Sequence, residues 1–550
     1  MYIIGVSAYY HDSSACLFKN GELLFACEEE KFTGIKHDSS FPHKTIEYIF
    51  KTYKLSKEDI DCVCYYEDPT LRFKRKKSFF TSLLNNIKVR YNLSKISRKI
   101  HYTPHHLSHM AYSYYSSNFN DAVVVSIDGV GETSTVSFGK GIGGGLKQLK
   151  TIEYPHSVGL FYSAMTAFLG FKPNEGEYKV MGLAPYGDAS KYKHIFDKIF
   201  RFDKNGFIEI NQKYFTWQYS NTDMYTYDLV KLIGIEPREP ESNIEQHHMD
   251  IAAALQKWYE SCFYFFVNNC MQQSDSSNLV LGGGSAYNGT TNGKLQKHTS
   301  IKDLWIPFAP SDAGSAIGAC LYYWHNILDN PKVIDGDNIS PYLGPQWTRD
   351  EIVNILSKAK SEHNELDVKI YNDKTKLLTK VSKLINDGNI IGWFQGRTEF
   401  GARALGNRSI LANPHLPDVR DRINRVVKKR EMFRPFAPSV TFEDYETYFS
   451  SESEVPYMNQ VVKVTNYKSI PSVTHVDGSA RIQTVKREMN PLYYDLLKHF
   501  EKVSGTPILL NTSFNLRGHT MTNDPQKAIW TFLNCDMDYL VIGNFIISKK

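Results

Sequence analysis

The run Thr103-Pro104-His105-His106-Leu107-Ser108-His109, followed closely by Ala122-Val123-Val124-Val125-Ser126-Ile127-Asp128-Gly129, constrains this chain more than any other stretch. Thr103 reads as an N-cap and Pro104 as the first helical residue, where its missing N–H costs nothing. His105 and His109 then stand four residues apart on one helix face, the spacing with which two imidazoles hold one metal ion. The β-branched run Val123–Val125 demands a strand. That strand is expected to end at Asp128, whose carboxylate can supply a third ligand.

A length of 550 residues is too great for one core, so two or three domains are expected. A hydrophobic content of 42% with 22% charged residues is that of an ordinary globular protein. No apolar run reaches the ~18 residues of a membrane span. The opening MYIIGVSAYYHD has no basic region before an apolar core, which argues against a secretion signal. The net charge of +5 is too mild to point to a nucleic-acid partner. The eight cysteines are scattered, without C-x-x-C or a disulfide framework, and fit a reducing cytoplasm. Cys62-Val63-Cys64 is expected to send its two thiols to opposite faces of a strand.

Tyr2–Ser7 reads as a buried strand, followed by the polar turn Tyr9-Tyr10-His11-Asp12-Ser13-Ser14. Ala15–Lys19 and Glu22–Cys27 are strand-like and joined by Asn20-Gly21, a strong hairpin signal. His11 is the one imidazole of the polar turn. Glu28 to Asp38 is dense in charge and is expected to be a solvated loop. Phe41–Tyr53 has helical periodicity and Asp59–Tyr65 a strand pattern, so the chain opens as mixed α/β. From Thr70 to Ile100 there are ten Lys or Arg and no Asp or Glu. A solvated amphipathic helix or insertion is the expected form, with an anionic acceptor or a membrane face as the alternative partner.

Gly129 and Gly131, followed by Thr133, Ser134 and Thr135, suit a phosphate-binding hairpin, because glycines let backbone amides approach closely. Met249–Asn268 reads as a long helix, and Asn278–Leu281 as a strand running into Gly282-Gly283-Gly284-Ser285-Ala286-Tyr287-Asn288. Gly283, Gly284 and Asn288 are nucleotide-binding candidates on the same argument. In Ser311-Asp312-Ala313-Gly314, Asp312 is read as an N-cap or as a further carboxylate of the metal shell.

The ordered set of His11 turn, H-x-x-x-H, strand-Asp-Gly, G-G-G and S-D-x-G resembles the O-carbamoyltransferases of the nodulation, cephem and aminoglycoside-antibiotic type. That half is similar to the tRNA threonylcarbamoyltransferase, a metal-using relative of actin and the sugar kinases. The resemblance implies an α/β architecture. An actin-like, two-lobed, metal-binding carbamoyl-transfer domain would span 1–345. A YrdC-like α/β domain that forms carbamoyl-adenylate would span 346–550. The polar, Pro/Gly-rich segment Asp337–Gln346 suits a linker.

The second half carries its own motifs. Gln395–Ile410, Val427–Pro438, His475–Thr484 and Thr506–Asn515 place Lys and Arg among Gly, Ala, Phe and Pro. A guanidinium there does not point freely into water, and its fork suits phosphate and carboxylate oxygens. On the resemblance, Lys428, Arg434, Arg481 and Ser513 hold carbamoyl phosphate and ATP. Arg397, Arg403 and Arg408 are weaker candidates, some of them structural.

The chemistry implied is two steps. Carbamoyl phosphate and ATP, with Mg²⁺ bridging the triphosphate, give carbamoyl-adenylate. An acceptor hydroxyl then attacks the carbamoyl carbon and AMP leaves. A metal held by His105, His109, Asp128 and Asp312 would stabilise charge in the second step. This mixed N/O set suits Fe²⁺, Mn²⁺ or Zn²⁺, and the resemblance favours iron. His11 is the candidate general base, because imidazole titrates near the working pH, and Lys36 assists by charge. The acceptor is a small-molecule or glycan alcohol, with no stable nucleic-acid partner expected; a homodimer is left open. The readings to be set against this one are tRNA threonylcarbamoylation, an actin-like sugar kinase and a non-catalytic actin-like scaffold.

Overall fold

Two sheets in the N-terminal half repeat one strand order. In the computed structural model, residues 1–72, 79–202, 208–220, 223–332 and 339–550 are described, without the side chains of residues 72 and 79–82. Strands β1 (Tyr2–Ser7), β2 (Ser14–Lys19), β3 (Glu22–Glu28), β4 (Ile60–Tyr65) and β5 (Ile100–Tyr102) form a sheet in the order β3-β2-β1-β4-β5. Within it β1 and β4, and β4 and β5, are parallel. Strands β6 (Asp121–Gly131), β7 (Ser134–Ile142) and β8 (Gly145–Glu153) are an antiparallel meander. A short antiparallel pair follows, β9 (Phe200–Phe202) and β10 (Ile208–Ile210). Then β11 (Asn278–Gly282) adds parallel to β6 and β12 (Asp303–Trp305) parallel to β11, giving β12-β11-β6-β7-β8. A three-strand run extended from its first strand by two later ones, made twice, is the plan of an actin-like α/β domain.

The sequence dictates these strands by burial. Ile3, Ile4 and Val6, Val123 to Val125, and Leu279 to Leu281 are buried on both faces, which is why they read as continuous apolar runs. Asn20 and Gly21 both have positive φ, 50° and 87°, the backbone that a two-residue hairpin turn needs. The helices His105–Tyr115 and Asp312–Tyr322 touch almost backbone to backbone. A Cβ on Gly318 would sit 1.8 Å from the Ser108 carbonyl oxygen, so only glycine allows this approach.

The chain divides into two units, the first comprising Met1–Ser7, Phe18–Glu22 and Leu55–Asn338. The second comprises Ala8–Leu17, Leu23–Lys54 and Ile339–Lys550, and so contains the polar turn after β1. Its main sheet uses β13 (Leu366–Ile370), β14 (Ile391–Phe394), β15 (Arg408–Ala412), β16 (Ala437–Thr441), β20 (Gln483–Val485), β21 (Ile508–Ser513), β22 (Tyr539–Ile542) and β23 (Phe545–Lys549). The order is β13-β23-β22-β14-β15-β21-β16-β20. A smaller sheet joins β17 (Phe449–Ser450), β18 (Val461–Val464) and β19 (Ser479–Arg481). Alternate residues of the main sheet feed separate cores. Ile410, Ile508, Leu510, Leu540 and Ile542 face one core, and Trp393, Leu411, Leu509 and Val541 the other, with the helices Lys374–Asn386 and Pro491–Ser504.

Several local expectations are corrected. The helix after Thr103 begins at His105 with Pro104 as its cap residue. The Thr103 hydroxyl instead faces the Ala319 carbonyl at 3.5 Å. Strand β6 does not end at Asp128 but runs on to Gly131, with its pairing to β7 shifted between Ile127 and Gly131. Cys62 and Cys64 share a face, because residues two apart in a strand do; both are buried. The segment from Glu28 to Asp38 is not simply solvated, since Glu28, Glu29, Lys31 and Asp38 are buried. Lys31 Nζ donates to Glu28 Oε2 at 2.6 Å and to the Glu399 carbonyl at 2.5 Å, while Glu29 accepts from the amides of Lys44 and Thr45 at 2.9 Å. Asp38 accepts from the Thr33 hydroxyl and the Ser40 amide at 2.8 Å, so each of the four buried charges has a partner, which is what makes burial tolerable. Residues 73–78 of the basic stretch, and 337 and 338 of the linker, lie outside the described residues.

Candidate functional site

His105, His109, Asp128 and Asp312 converge in the first unit, all buried, with one ligand atom from each lying within 4.8 Å of the others. The two histidines come from one helix face, Asp128 from the irregular part of β6, and Asp312 from the first turn of the helix Asp312–Tyr322. Asp312 is the first helical residue and Ser311 the cap, so its carboxylate is not the N-cap. His105 Nε2 stands 3.0 Å from His109 Nε2 and 3.0 Å from Asp128 Oδ2. Asp312 Oδ1 lies 3.5 Å from each Nε2. Two imidazole nitrogens directed at one point, with two carboxylates around them, form a donor set suited to a divalent cation.

The surroundings aim these groups. The hydroxyl of Ser315 lies 3.0 Å from His109 Nδ1, which leaves Nε2 turned inward. The Gly284 amide donates to Asp128 Oδ1 at 3.1 Å. Glu132 accepts from the His105 amide at 3.0 and 3.1 Å and so caps the helix from outside it. A Cβ on Gly131 would fall 2.2 Å from the His105 ring. Burial opposes charge on His109, but hydrogen bonds to Asp128 and Asp312 outweigh it and lift the imidazolium to about 9. Burial likewise opposes the Asp128 carboxylate, yet its bonds to His105 and His109 hold it well below the usual range.

In the second unit, Lys428 Nζ is buried and donates to Asn515 Oδ1 at 2.7 Å, to the Asn515 carbonyl at 3.0 Å and to the Ser513 carbonyl at 2.5 Å. Ser513 Oγ in turn donates to Asn515 Oδ1 at 2.8 Å. Burial, with Arg430 and Arg434 nearby, holds the Lys428 ammonium well below its ordinary pKa. Arg481 Nε is buried with no hydrogen-bond partner among the described residues. Burial and the cations of Arg403, Arg430 and Arg434 depress it strongly. Cations crowded in this way are the electrostatic signature of an anion site.

The polar turn of the second unit holds a third arrangement. Asp12 lies between two imidazoles, with Oδ2 3.0 Å from His11 Nδ1 and Oδ1 2.6 Å from His37 Nδ1. Glu30 Oε2 accepts from the His37 amide at 2.8 Å. Asp12 and His37 both have left-handed backbone, with φ of 50° and 53°, the local strain often found at functional loops.

Comparison with known families decides what these parts belong to. Residues 2–88 and 72–321 match the model described as carbamoyltransferase N-terminus, and residues 382–549 that described as carbamoyltransferase C-terminus. The chain belongs to the O-carbamoyltransferase family. It is 37% identical to the uncharacterized protein sll1178 of Synechocystis over all of this chain and 97% of that protein. It is 34% identical to the nodulation protein NolNO of Sinorhizobium fredii, over 99% of this chain and 80% of that one. A 3'-hydroxymethylcephem-O-carbamoyltransferase of Amycolatopsis lactamdurans is 31% identical over 55% of each chain. As an enzyme of this family the protein is a carbamoyltransferase. Among the described residues no helix is long and apolar enough to cross a membrane.

The carbamoyltransferase places the remaining candidates as follows. Gly129 accepts the Ser157 hydroxyl at its carbonyl, at 2.6 Å. Gly283 has φ of 86° and is crowded against the Ile127 backbone. Asn288 caps the short helix Gly289–Asn292, and its side-chain amide pairs with that of Gln256 at 3.1 Å. Lys36 is half-buried in the turn before His37. Arg434 Nη1 lies 3.6 Å from Glu431 Oε2. Arg397 and Arg408 are structural. Arg397 donates to the carbonyls of Gly344 and Leu24 at 3.1 and 2.9 Å, and fully buried Arg408 to those of Gly396 and Gln395. The sequence reading missed Asp12, His37, Glu132, Ser315 and Asn515. Only the His11-Asp12 adjacency offered a signal for any of them.

Proposed function

We propose that this enzyme is an ATP-dependent O-carbamoyltransferase that makes carbamoyl-adenylate in a YrdC-like second unit and transfers the carbamoyl group to an alcohol. The observation that carries this reading is the cluster of buried Lys428 and half-buried Arg481, whose Nε is itself buried without a hydrogen-bond partner; among the described residues neither cation has a carboxylate hydrogen-bonded to it. Anionic phosphates would supply that compensation.

In the first step, water releases phosphate from carbamoyl phosphate. An oxygen of the resulting carbamate attacks the α-phosphorus of ATP, and pyrophosphate leaves. Lys428, Arg434, Arg481 and Ser513 would hold the phosphates so that the anions can approach one another, with Mg²⁺ on the triphosphate. In the second step the acceptor oxygen bonds to the carbamoyl carbon and the bond to AMP breaks. The departing proton goes to His11 Nε2, because Nδ1 faces Asp12. Asp12, braced by His37, orients that imidazole, and Lys36 adds positive charge nearby. His105, His109, Asp128 and Asp312 would hold iron or another divalent transition metal, which supplies Lewis-acid stabilisation of developing negative charge. Gly129, Gly131, Gly283, Gly284 and Asn288 would line the nucleotide end of that site. The acceptor is a small-molecule or glycan hydroxyl.

The test incubates the purified protein with ATP and carbamoyl phosphate, alone and with a panel of alcohols and oligosaccharides, and follows carbamoyl-adenylate, AMP and carbamate esters by mass spectrometry. Carbamoyl-adenylate must form without an acceptor. Carbamate esters appearing without ATP would overturn the reading.

A further inference from the structure

Among the described residues, the helix Phe79–Ser94 has one apolar face that is buried and another that is exposed. Val89 and Leu93, with Ile96 just beyond the helix, are buried beneath it. On the opposite side Leu83, Leu84, Ile87 and Tyr91 are 39%, 65%, 58% and 61% exposed. These residues recur at three- and four-residue spacing and so form one stripe along the outer face. Lys88 and Arg90, both exposed, project from opposite sides of the stripe, and Lys95 Nζ lies 4.1 Å from the Tyr91 ring centre. The sequence has no Asp or Glu between Asp68 and Asp121.

We propose that this face docks on an anionic phospholipid bilayer, with Leu83, Leu84, Ile87 and Tyr91 in the headgroup boundary and Lys88 and Arg90 on lipid phosphates. An apolar stripe lined on both sides by cations is the pattern of a helix lying in the plane of an interface. The long lysine and arginine stems let the charges reach the headgroups while the stripe inserts. A second copy of the same face would bring Lys88 and Arg90 against their own kind, and no carboxylate of this stretch offsets that repulsion. A bilayer with negative headgroups supplies both the apolar phase and the opposite charge. This docking is independent of the assignment of either reaction step.

The full chain is tested by co-sedimentation with vesicles of phosphatidylcholine alone and of phosphatidylcholine with phosphatidylglycerol. Binding is expected with the anionic vesicles only, weakening as salt rises. Leu84→Glu/Ile87→Glu, at exposed positions, should cut binding by about tenfold or more, and Lys88→Gln/Arg90→Gln should reduce it and flatten the salt dependence. Circular dichroism checks that both variants stay folded. No binding to anionic vesicles, equal binding to neutral ones, or binding indifferent to both variants would overturn the proposal. Light scattering that showed Leu84→Glu/Ile87→Glu dissociating an oligomer would overturn it too, by assigning the face to contacts between copies.

Discussion

His105 Nε2 and His109 Nε2 stand 3.0 Å apart, and both are buried. At that distance they cannot both carry a proton toward the other. The arrangement is satisfied by one shared proton or by a cation. Four ligand atoms brought together by a helix, an irregular strand and a second helix argue for the cation. His109→Ala should therefore abolish binding of a transition metal, measured by elemental analysis after dialysis. Ser315→Ala should weaken it by about 10–100-fold, because Ser315 only orients His109. Unchanged metal content in His109→Ala would contradict the assignment.

Gly131 tests how tightly the backbone is fitted to that centre. Its Cβ would overlap the His105 ring. Gly131→Ala should lower stability by about 1–3 kcal/mol in urea denaturation and weaken metal binding with it. Wild-type stability in this variant would mean that the ring has room to move.

How much of this was legible beforehand depends on the range of the forces involved. Strands such as Tyr2–Ser7 and Asn278–Gly282 announce themselves through local apolar runs, and Asn20-Gly21 through its backbone preference. His105 and His109 announce themselves through spacing. Asp12 with His37 could not be read, because the contact joins two turns 25 residues apart through left-handed backbone at residues that are not glycine. Glu132 was hidden for a similar reason: it caps a helix that begins 27 positions earlier. Charge density misled at Glu28 to Asp38, where pairing and capping take the charges inside.

The pair Asp12–His37 predicts a pH signature. Burial opposes both charged forms, but the hydrogen bond to Asp12 raises the His37 pKa above its ordinary 6.5, and the bonds to His11 and to His37 together lower Asp12 below its ordinary 3.8. His37 then contributes stability fully below pH 6.5, and that contribution is lost as pH rises through its elevated value. Asp12 contributes above pH 3.8, and loses its share as acid protonates it. The stability gap between wild type and His37→Gln should be widest between those limits and shrink above pH 6.5. A gap that grew with rising pH would have the wrong sign.

The basic cluster of the second unit predicts stabilisation by anions. Burial and neighbouring cations disfavour positive charge on Lys428 and Arg481, so a bound anion such as carbamoyl phosphate should raise the melting temperature. At 100 times its dissociation constant the gain is about 2.7 kcal/mol. Arg481→Leu should lose that response while staying close to wild-type stability without ligand, because a half-buried guanidinium whose buried Nε has no partner and which is crowded by other cations has been removed. A full anion response in Arg481→Leu would remove Arg481 from the site.

The central claim is that one set of residues makes an activated carbamoyl group and another hands it on. The direct measurement is pyrophosphate release from ATP and carbamoyl phosphate, without acceptor, by His11→Asn and Arg481→Ala side by side. His11→Asn is predicted to stay near wild type and Arg481→Ala to fall by about 100-fold or more. Normal release by Arg481→Ala, or equal loss in both variants, would contradict the account.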